Sequence, residues 1–254
     1  MNQTIDIIKK HRTIRAYKNI PIESDVISEL LEVARRTSTS TGLQRASIIR
    51  VTDPEIREKF AELCQQQYVM EAPEFWVFIV DTYRNRKISE EKGEISMVGR
   101  DMDRFFQGFS DCMIMAQNVL LAVESLGLGG ALLGNIHNDS QEVIDLLELP
   151  KFTFPAIALA FGHPDQNPQI KPRMEMNLRF FENKYKDLSP YLEAFKEYDE
   201  AMQEYYDLRE ANKRVDSFTN QIVTRDKNQL AKRRYMLDVV EKQGFILKGD
   251  EFKE

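Results

Sequence analysis

Apolar residues recur at helical spacing through Val26, Ile27, Leu30, Leu31 and Ala34, which predicts a helix from about Ser24 to Arg36. A shorter amphipathic stretch, Ile5 to Lys10, precedes it, and Pro21 breaks the chain between them, so His11 to Ile20 is a connector flanked by two helices. Ala46 to Thr52 (ASIIRVT) is short and β-branched, a strand stopped by Asp53-Pro54 before a charged helix from about Glu55 to Gln65. Phe75 to Asp81 (FWVFIVD) is a continuous apolar run of strand length, which predicts a central strand covered on both faces. From about Met102 to Leu126 a stripe runs through Phe105, Phe109, Met113, Ala116, Leu120 and Val123, the pattern of a buried helical spine. Gly127-Leu128-Gly129-Gly130 is expected to close that helix, with Ala131-Leu132-Leu133 as a short strand after it. Asp139-Ser140-Gln141-Glu142 has capping-box order before a helix to about Leu149. Phe154 to Phe161 reads as another apolar strand, closed by Gly162-His163-Pro164 and followed by a Pro- and Asn-rich loop ending Lys171-Pro172-Arg173. From Asn183 onward charges and tyrosines dominate, and two or three polar helices with too little apolar surface for their own core are expected. That tail reads as an extension that wraps another surface.

Length and charge narrow the field. A chain of 254 residues buries enough surface for a core that needs neither disulfides nor metals. Cys64 and Cys112, a lone pair, read as reduced thiols. The N-terminus enters an amphipathic pattern directly, and no apolar run approaches the roughly 20 residues that cross a bilayer. A cytoplasmic protein with no membrane partner is expected. With 41 acidic against 35 basic side chains, net charge −6, the chain as a whole repels nucleic acid, so any anion it binds is small and met by a local basic cluster.

Several familiar chemistries lack their motifs. There is no Walker A sequence, and Gly127-Leu-Gly129-Gly130-Ala-Leu-Leu-Gly134 carries Leu132 where a dinucleotide fingerprint needs its third glycine. His11, His137 and His163 lie in separate segments without zinc-ligand spacing, so no metal site is expected. No nucleophile elbow occurs, and Cys64 has no evident activating partner. What remains is His11-Arg12-Thr13-Ile14-Arg15, three potential cations and a hydroxyl within five residues, with guanidinium forks suited to phosphate. Alone it also reads as a solvated basic turn. Lys171 and Arg173, stiffened by Pro172, are a second cation pair. Ser38-Thr39-Ser40-Thr41-Gly42-Leu43-Gln44 offers hydroxyl donors to a phosphate, a sugar or a ring carbonyl, or is a plain helix-terminating loop. Gly129 and Gly130 permit close backbone approach to a planar ligand, or serve as a helix cap.

In order, HRTIR, the Ser/Thr run ending at Gln44, SIIRVTD, Gln66-x-Tyr68-Val69, EFWVF, MAQNVLLAVESLGLGG, the strand with GHP, and NPxxKPR resemble the oxygen-insensitive NADPH nitroreductase and NADPH–flavin oxidoreductase group of the FMN-dependent nitroreductase superfamily. The resemblance spans nearly the whole chain. It implies an α+β fold with a mostly antiparallel central sheet wrapped by helices, in an intertwined homodimer with FMN sites at its interface. It implies an FMN-binding core over 1–182 and a helical C-terminal extension over 183–254 that packs on the dimer partner. His11, Arg12, Thr13, Lys171 and Arg173 would hold the FMN phosphate and ribityl chain. Arg15 would lie near the pyrimidine edge of the ring, the one residue given a catalytic part. Gln66, Tyr68, Gly129 and Gly130 would contact the isoalloxazine, and Ser38, Thr39, Ser40 and Gln44 would approach from the partner chain. Arg209 and Arg214, in YYDLREANKR, resemble the clamp for the NADPH 2′-phosphate. The implied activity is ping-pong hydride transfer from NADPH to flavin and then two-electron reduction of nitroaromatics, quinones or free flavin. Alternatives are a dedicated supplier of free reduced flavin, or a binding module whose charged C-terminal helices dock a partner. Two departures stand out: Gln65 before Gln66, and His137, where relatives commonly carry arginine and where acceptor preference would change if that arginine shapes the pocket.

Overall fold

The computed structural model describes residues 2–94, 97–207, 213–227 and 230–249. In chain order the elements are α1 (Gln3–Lys9), α2 (Ser24–Arg35), β1 (Ala46–Arg50), α3 (Pro54–Cys64), α4 (Tyr68–Glu71), β2 (Glu74–Asp81), α5 (Tyr83–Glu91), α6 (Met102–Ser125), β3 (Gly129–Leu133), α7 (Ser140–Leu146), β4 (Thr153–Gly162), α8 (Tyr191–Ala194), α9 (Lys196–Glu204), β5 (Tyr206–Asp207), β6 (Lys213–Arg214), α10 (Phe218–Lys227) and α11 (Met236–Lys242). This is an α+β fold built on a four-stranded antiparallel sheet of order β1-β2-β4-β3. The apolar run of β2 is central, between β1 and β4, and Phe75 to Val80 are buried. Its one large polar demand is met locally: the Trp76 indole N–H donates to Glu74 Oε2 at 2.9 Å, and Arg50 grips the same buried carboxylate.

Helix ends follow the sequence signals. Asp53 caps α3 by accepting from the Glu55 and Ile56 amides at 2.8 and 3.1 Å, with Pro54 at the first helical position. Asp101 caps α6 and Asp139 caps α7 in the same way. The spine helix α6 runs 24 residues and packs against all four strands. It ends at Gly127, whose φ of +75° and whose bond to Glu124 O, together with Leu128 N to Val123 O, complete a Schellman close. Gly129 and Gly130 are therefore not part of the cap. They open β3, paired with Gly162 and Phe161 of β4, where a Cβ at Gly129 would stand 2.4 Å from Ile14 Cγ1 and one at Gly130 2.9 Å from Leu120 Cδ1.

Two compact units emerge, one of residues 1–167 with 230–254 and one of 168–229. In the first, Val240 and Phe245 are 1% exposed, and the Phe245 ring packs on Phe105 and Phe152. In the second, α9 and α10 meet through Phe195, Tyr198 and Phe218, and Asp199 accepts from the Thr219 amide at 2.9 Å. Among the described residues no helix is long and apolar enough to cross a membrane.

Candidate functional site

The HRTIR segment leaves α1 and runs beside the ends of β3 and β4. Ile14 N donates to Gly130 O at 3.1 Å, Lys18 N to His163 O at 2.9 Å and Asp165 N to Ala16 O at 2.9 Å, with Tyr17 and Pro164 bridged antiparallel. Tyr17 locks the turn: its hydroxyl donates to Ile14 O at 2.7 Å, with Ala160 O 3.1 Å away, and burial raises its pKa above the ordinary phenol value. The fold thus brings the segment that carries His11, Arg12, Thr13 and Arg15 against Gly129 and Gly130 through Ile14, more than a hundred positions away in the chain.

Within this cradle the polar groups are only partly satisfied. His11 Nδ1 stands 2.5 Å from Glu124 Oε1 near the end of α6. Arg12 donates one guanidinium nitrogen to Asn167, whereas its Nε is buried without a partner, as is His163 Nε2 on the facing segment. A buried donor left unpaired is costly, so a guanidinium presented this way calls for an acceptor of the kind an anion supplies.

The α3–α4 turn that carries Gln66 and Tyr68 is tied to the other end of β3. Asn135 Nδ2 donates to Cys64 O at 3.1 Å and Asn138 Nδ2 to Leu63 O at 3.0 Å, from the 3₁₀ turn that follows β3. Gln65 takes the left-handed position that ends α3 (φ 53°) and is exposed; Gln66 is half-buried with its amide on Ala61 O at 2.9 Å. Arg57 reaches across from α3 to donate to the carbonyls of Val69 and Ala72, fixing the far side of α4. The Cys64 thiol, buried beneath this turn, is pushed up to about 12 by desolvation, and burial also raises Cys112, so neither offers a thiolate at neutral pH.

The Ser38–Gln44 loop stands apart from the cradle. It borders a cavity of about 840 Å³ whose walls include Thr39, Gln44, Leu31, Arg84, Ile88 and Met115. Thr41, Gly42 and Gln44 all have positive φ, which for the two side-chain-bearing residues costs of order 1 kcal/mol each. None of His11, Arg12, Thr13, Arg15, Gln66, Tyr68, Gly129 and Gly130 lines this cavity. Lys171 and Arg173 belong to the second unit, where Arg173 is exposed. Arg209 lies outside the described residues, and so does the side chain of Arg214, whose backbone pairs with Tyr206 in the β5–β6 ribbon.

His137 is a core residue. It is 7% exposed and stacked on Phe154, with Nε2 2.9 Å from Ala156 O and Nδ1 3.2 Å from Ser140 Oγ. Both ring nitrogens are thereby committed to the fold.

Residues that the sequence did not single out hold the cradle and loop in shape: Tyr17, Glu124, Arg57, Arg45 and Asp111. Tyr17 and Arg45 stand next to recognised segments, and Glu124 lies within one. The others act on groups distant in the chain.

Comparison with known proteins bears on this arrangement directly. Residues 8–163 match the model of the nitroreductase family, and residues 171–248 match the nitroreductase family, C-terminal domain. The chain belongs to the nitroreductase family. It is 37% identical over 248 residues to an NADPH-dependent oxidoreductase of Staphylococcus saprophyticus, covering 96% of this chain and 98% of that one. It is also 37% identical over 248 residues to the oxygen-insensitive NADPH nitroreductase of Salmonella typhimurium, covering 96% and 99%. The solved structure of an NADPH:FMN oxidoreductase from Vibrio harveyi complexed with NAD+ superposes with a TM-score of 0.84 at 33% identity, covering 96% and 99%.

Proposed function

We propose that this chain is an NADPH-dependent FMN oxidoreductase that works as a homodimer and passes two electrons to nitroaromatics, quinones or free flavin in a ping-pong cycle. The relatives' names supply the donor and the reaction class. The observation that carries the reading within this structure is the unpartnered, buried Arg12 Nε on the segment whose Ile14 amide pairs with Gly130 O. Such a group suits FMN, as a charge-assisted donor for its phosphate.

A bound flavin supplies the two-electron chemistry, as cofactors do in such enzymes. The chain's part is placement and charge. Arg12, His11 and Thr13 present donors from one rigid segment, with Tyr17 fixing its backbone and Glu124 fixing the His11 ring. Arg15 adds a permanent positive charge to the same segment, which stabilises negative charge that develops during turnover. Gln66 and Tyr68 approach on a turn stapled by Asn135, Asn138 and Arg57. No acid stands committed to one substrate among these groups, which suits a broad set of flat acceptors.

The homodimer is supported by apolar surface left uncovered on one chain: Phe106 and Ile114, two turns apart on α6, are 58% and 46% exposed. In the dimer the Ser38–Gln44 loop serves the flavin of the partner protomer.

Arg12→Ala tests the phosphate assignment. Loss of a charge-assisted bidentate donor should weaken FMN binding by roughly tenfold or more while leaving riboflavin affinity little changed; equal loss for both flavins would refute it. Arg15→Ala should lower flavin content and turnover, and unchanged values of both would remove its role. NADPH oxidation rates with riboflavin and with a nitrofuran then rank the acceptors.

A further inference from the structure

The loop from Ser38 to Arg45 is bent in a way its residues do not favour. Thr41, Gly42 and Gln44 take φ of 54°, 69° and 49°, and of these only glycine accepts that region without steric cost. Such a run keeps its shape only where the surroundings over-determine it. One side chain does so from both ends. Asp111, 1% exposed on the buried face of α6, accepts the Ser40 amide on Oδ1 at 2.7 Å and the Arg45 amide on Oδ2 at 3.2 Å. Ser40 and Arg45 bracket the three positive-φ residues. The stretch between is tied from α5, where Asn85 Nδ2 donates to Leu43 O at 3.0 Å and Arg84 donates to Gln44 O. Arg45 then turns its guanidinium back to Gln107 Oε1 at 2.6 Å and Thr41 Oγ1 at 3.3 Å, closing the loop on itself. Burying a carboxylate is costly, and two backbone amides held at a fixed spacing offset that cost only if the loop keeps this bend. Carboxylate and loop therefore require each other.

We infer that Asp111 is a positioning residue whose clamp on the Ser40 and Arg45 amides holds Thr39, Ser40 and Gln44 in the shape that meets the flavin bound by the partner protomer. This rests on the homodimeric flavin-enzyme reading above. Asp111 acts through the loop, and its effect is felt at the neighbouring protomer's site.

The test uses full-length Asp111→Asn, an isostere that keeps one acceptor oxygen but sets an N–H donor against the other amide. Hydrogen exchange read on peptides over 38–46 should accelerate by at least about tenfold, with peptides elsewhere on the sheet unchanged. Flavin titration should show FMN and riboflavin weakened in parallel, unlike the phosphate-selective loss expected for Arg12→Ala. Ser40→Pro provides a second variant should Asp111→Asn fold poorly. It deletes one donor at a turn start preceded by extended Thr39 (φ −131°, ψ 151°), a context that proline accepts, and it should give the same local acceleration. Co-expression of Asp111→Asn with Arg15→Ala should restore flavin binding at about a quarter of all sites, because each mixed dimer contains one site built wholly from intact parts. Unchanged exchange over 38–46 in both variants, faster exchange with unaltered flavin affinity, or no recovery in mixed dimers would each overturn the proposal. If the wild-type chain takes up neither flavin, the functional reading is what fails, and the exchange result alone decides whether Asp111 clamps the loop.

Discussion

Pro155 sits in β4, an inner strand of the sheet, where its missing N–H breaks the ladder, and the register with β2 slips by one residue between Phe78 and Ile79. The bulge frees the Ala156 carbonyl, and His137 Nε2 takes it up at 2.9 Å. His137 is thus tied to a backbone irregularity in the core. Burial holds the His137 pKa below its ordinary value, against the Ala156 hydrogen bond and with a smaller push from Arg233. The unfolded chain then binds this proton more readily than the folded one. The stabilisation from neutral His137 is whole above roughly pH 6.5, the unfolded value, and is lost as pH falls below it. Urea midpoints should thus drop between pH 7.5 and 5.5 more steeply for the wild type than for His137→Gln; parallel curves would contradict the assignment. Gly129 makes a second residue-level prediction. Alanine there should cost ~1–3 kcal/mol by overpacking Ile14, with a smaller cost in an Ile14→Ala background. Strictly additive losses in urea denaturation would show that the two sites are not in conflict.

Among elements, those with strong internal periodicity were legible. The α6 stripe, the β2 apolar run and the aspartate caps of α3 and α7 each announce themselves within a few neighbouring positions. The HRTIR cluster was legible because its charges are contiguous, whereas Gly129 and Gly130, taken without the resemblance, read equally as a helix end. Asp111 and Glu124 carry no local signal at all: each looks like a polar interruption of a helix, and their partners lie 71 and 113 residues away. Arg57 is of the same kind. It is a charged residue on an amphipathic helix whose meaning appears only when α4 folds back to offer two carbonyls. Arg57→Met leaves the Val69 and Ala72 carbonyls short of a donor and should cost ~1–3 kcal/mol. Exchange should rise over 66–72 beyond the global loss, and a uniform rise across the chain would deny Arg57 a local role.

For the whole molecule, the polar C-terminal third hides an apolar return. The reading of everything after Asn183 as surface-seeking fits its composition, yet Val239, Val240, Phe245 and Ile246 are buried in the first unit. Four apolar residues inside a charged segment are too few to shift a composition, which is why the return was illegible. Phe245→Ala should destabilise by ~3–5 kcal/mol, as expected for an emptied aromatic site packed on Phe105 and Phe152, and a chain ending at residue 229 should lose its cooperative thermal transition. A truncated chain that melts like the full one would show the return to be dispensable.

If this chain holds FMN and is reduced through it by NADPH, the colour of the flavin reports both. The direct measurement is the visible spectrum of the FMN-loaded, gel-filtered protein before and after anaerobic addition of NADPH. Flavin bands should remain with the protein through filtration, in a peak at the mass of a dimer, and should bleach on addition of NADPH. A protein that elutes colourless after incubation with FMN, or whose bound flavin keeps its bands in excess NADPH, would contradict that reading.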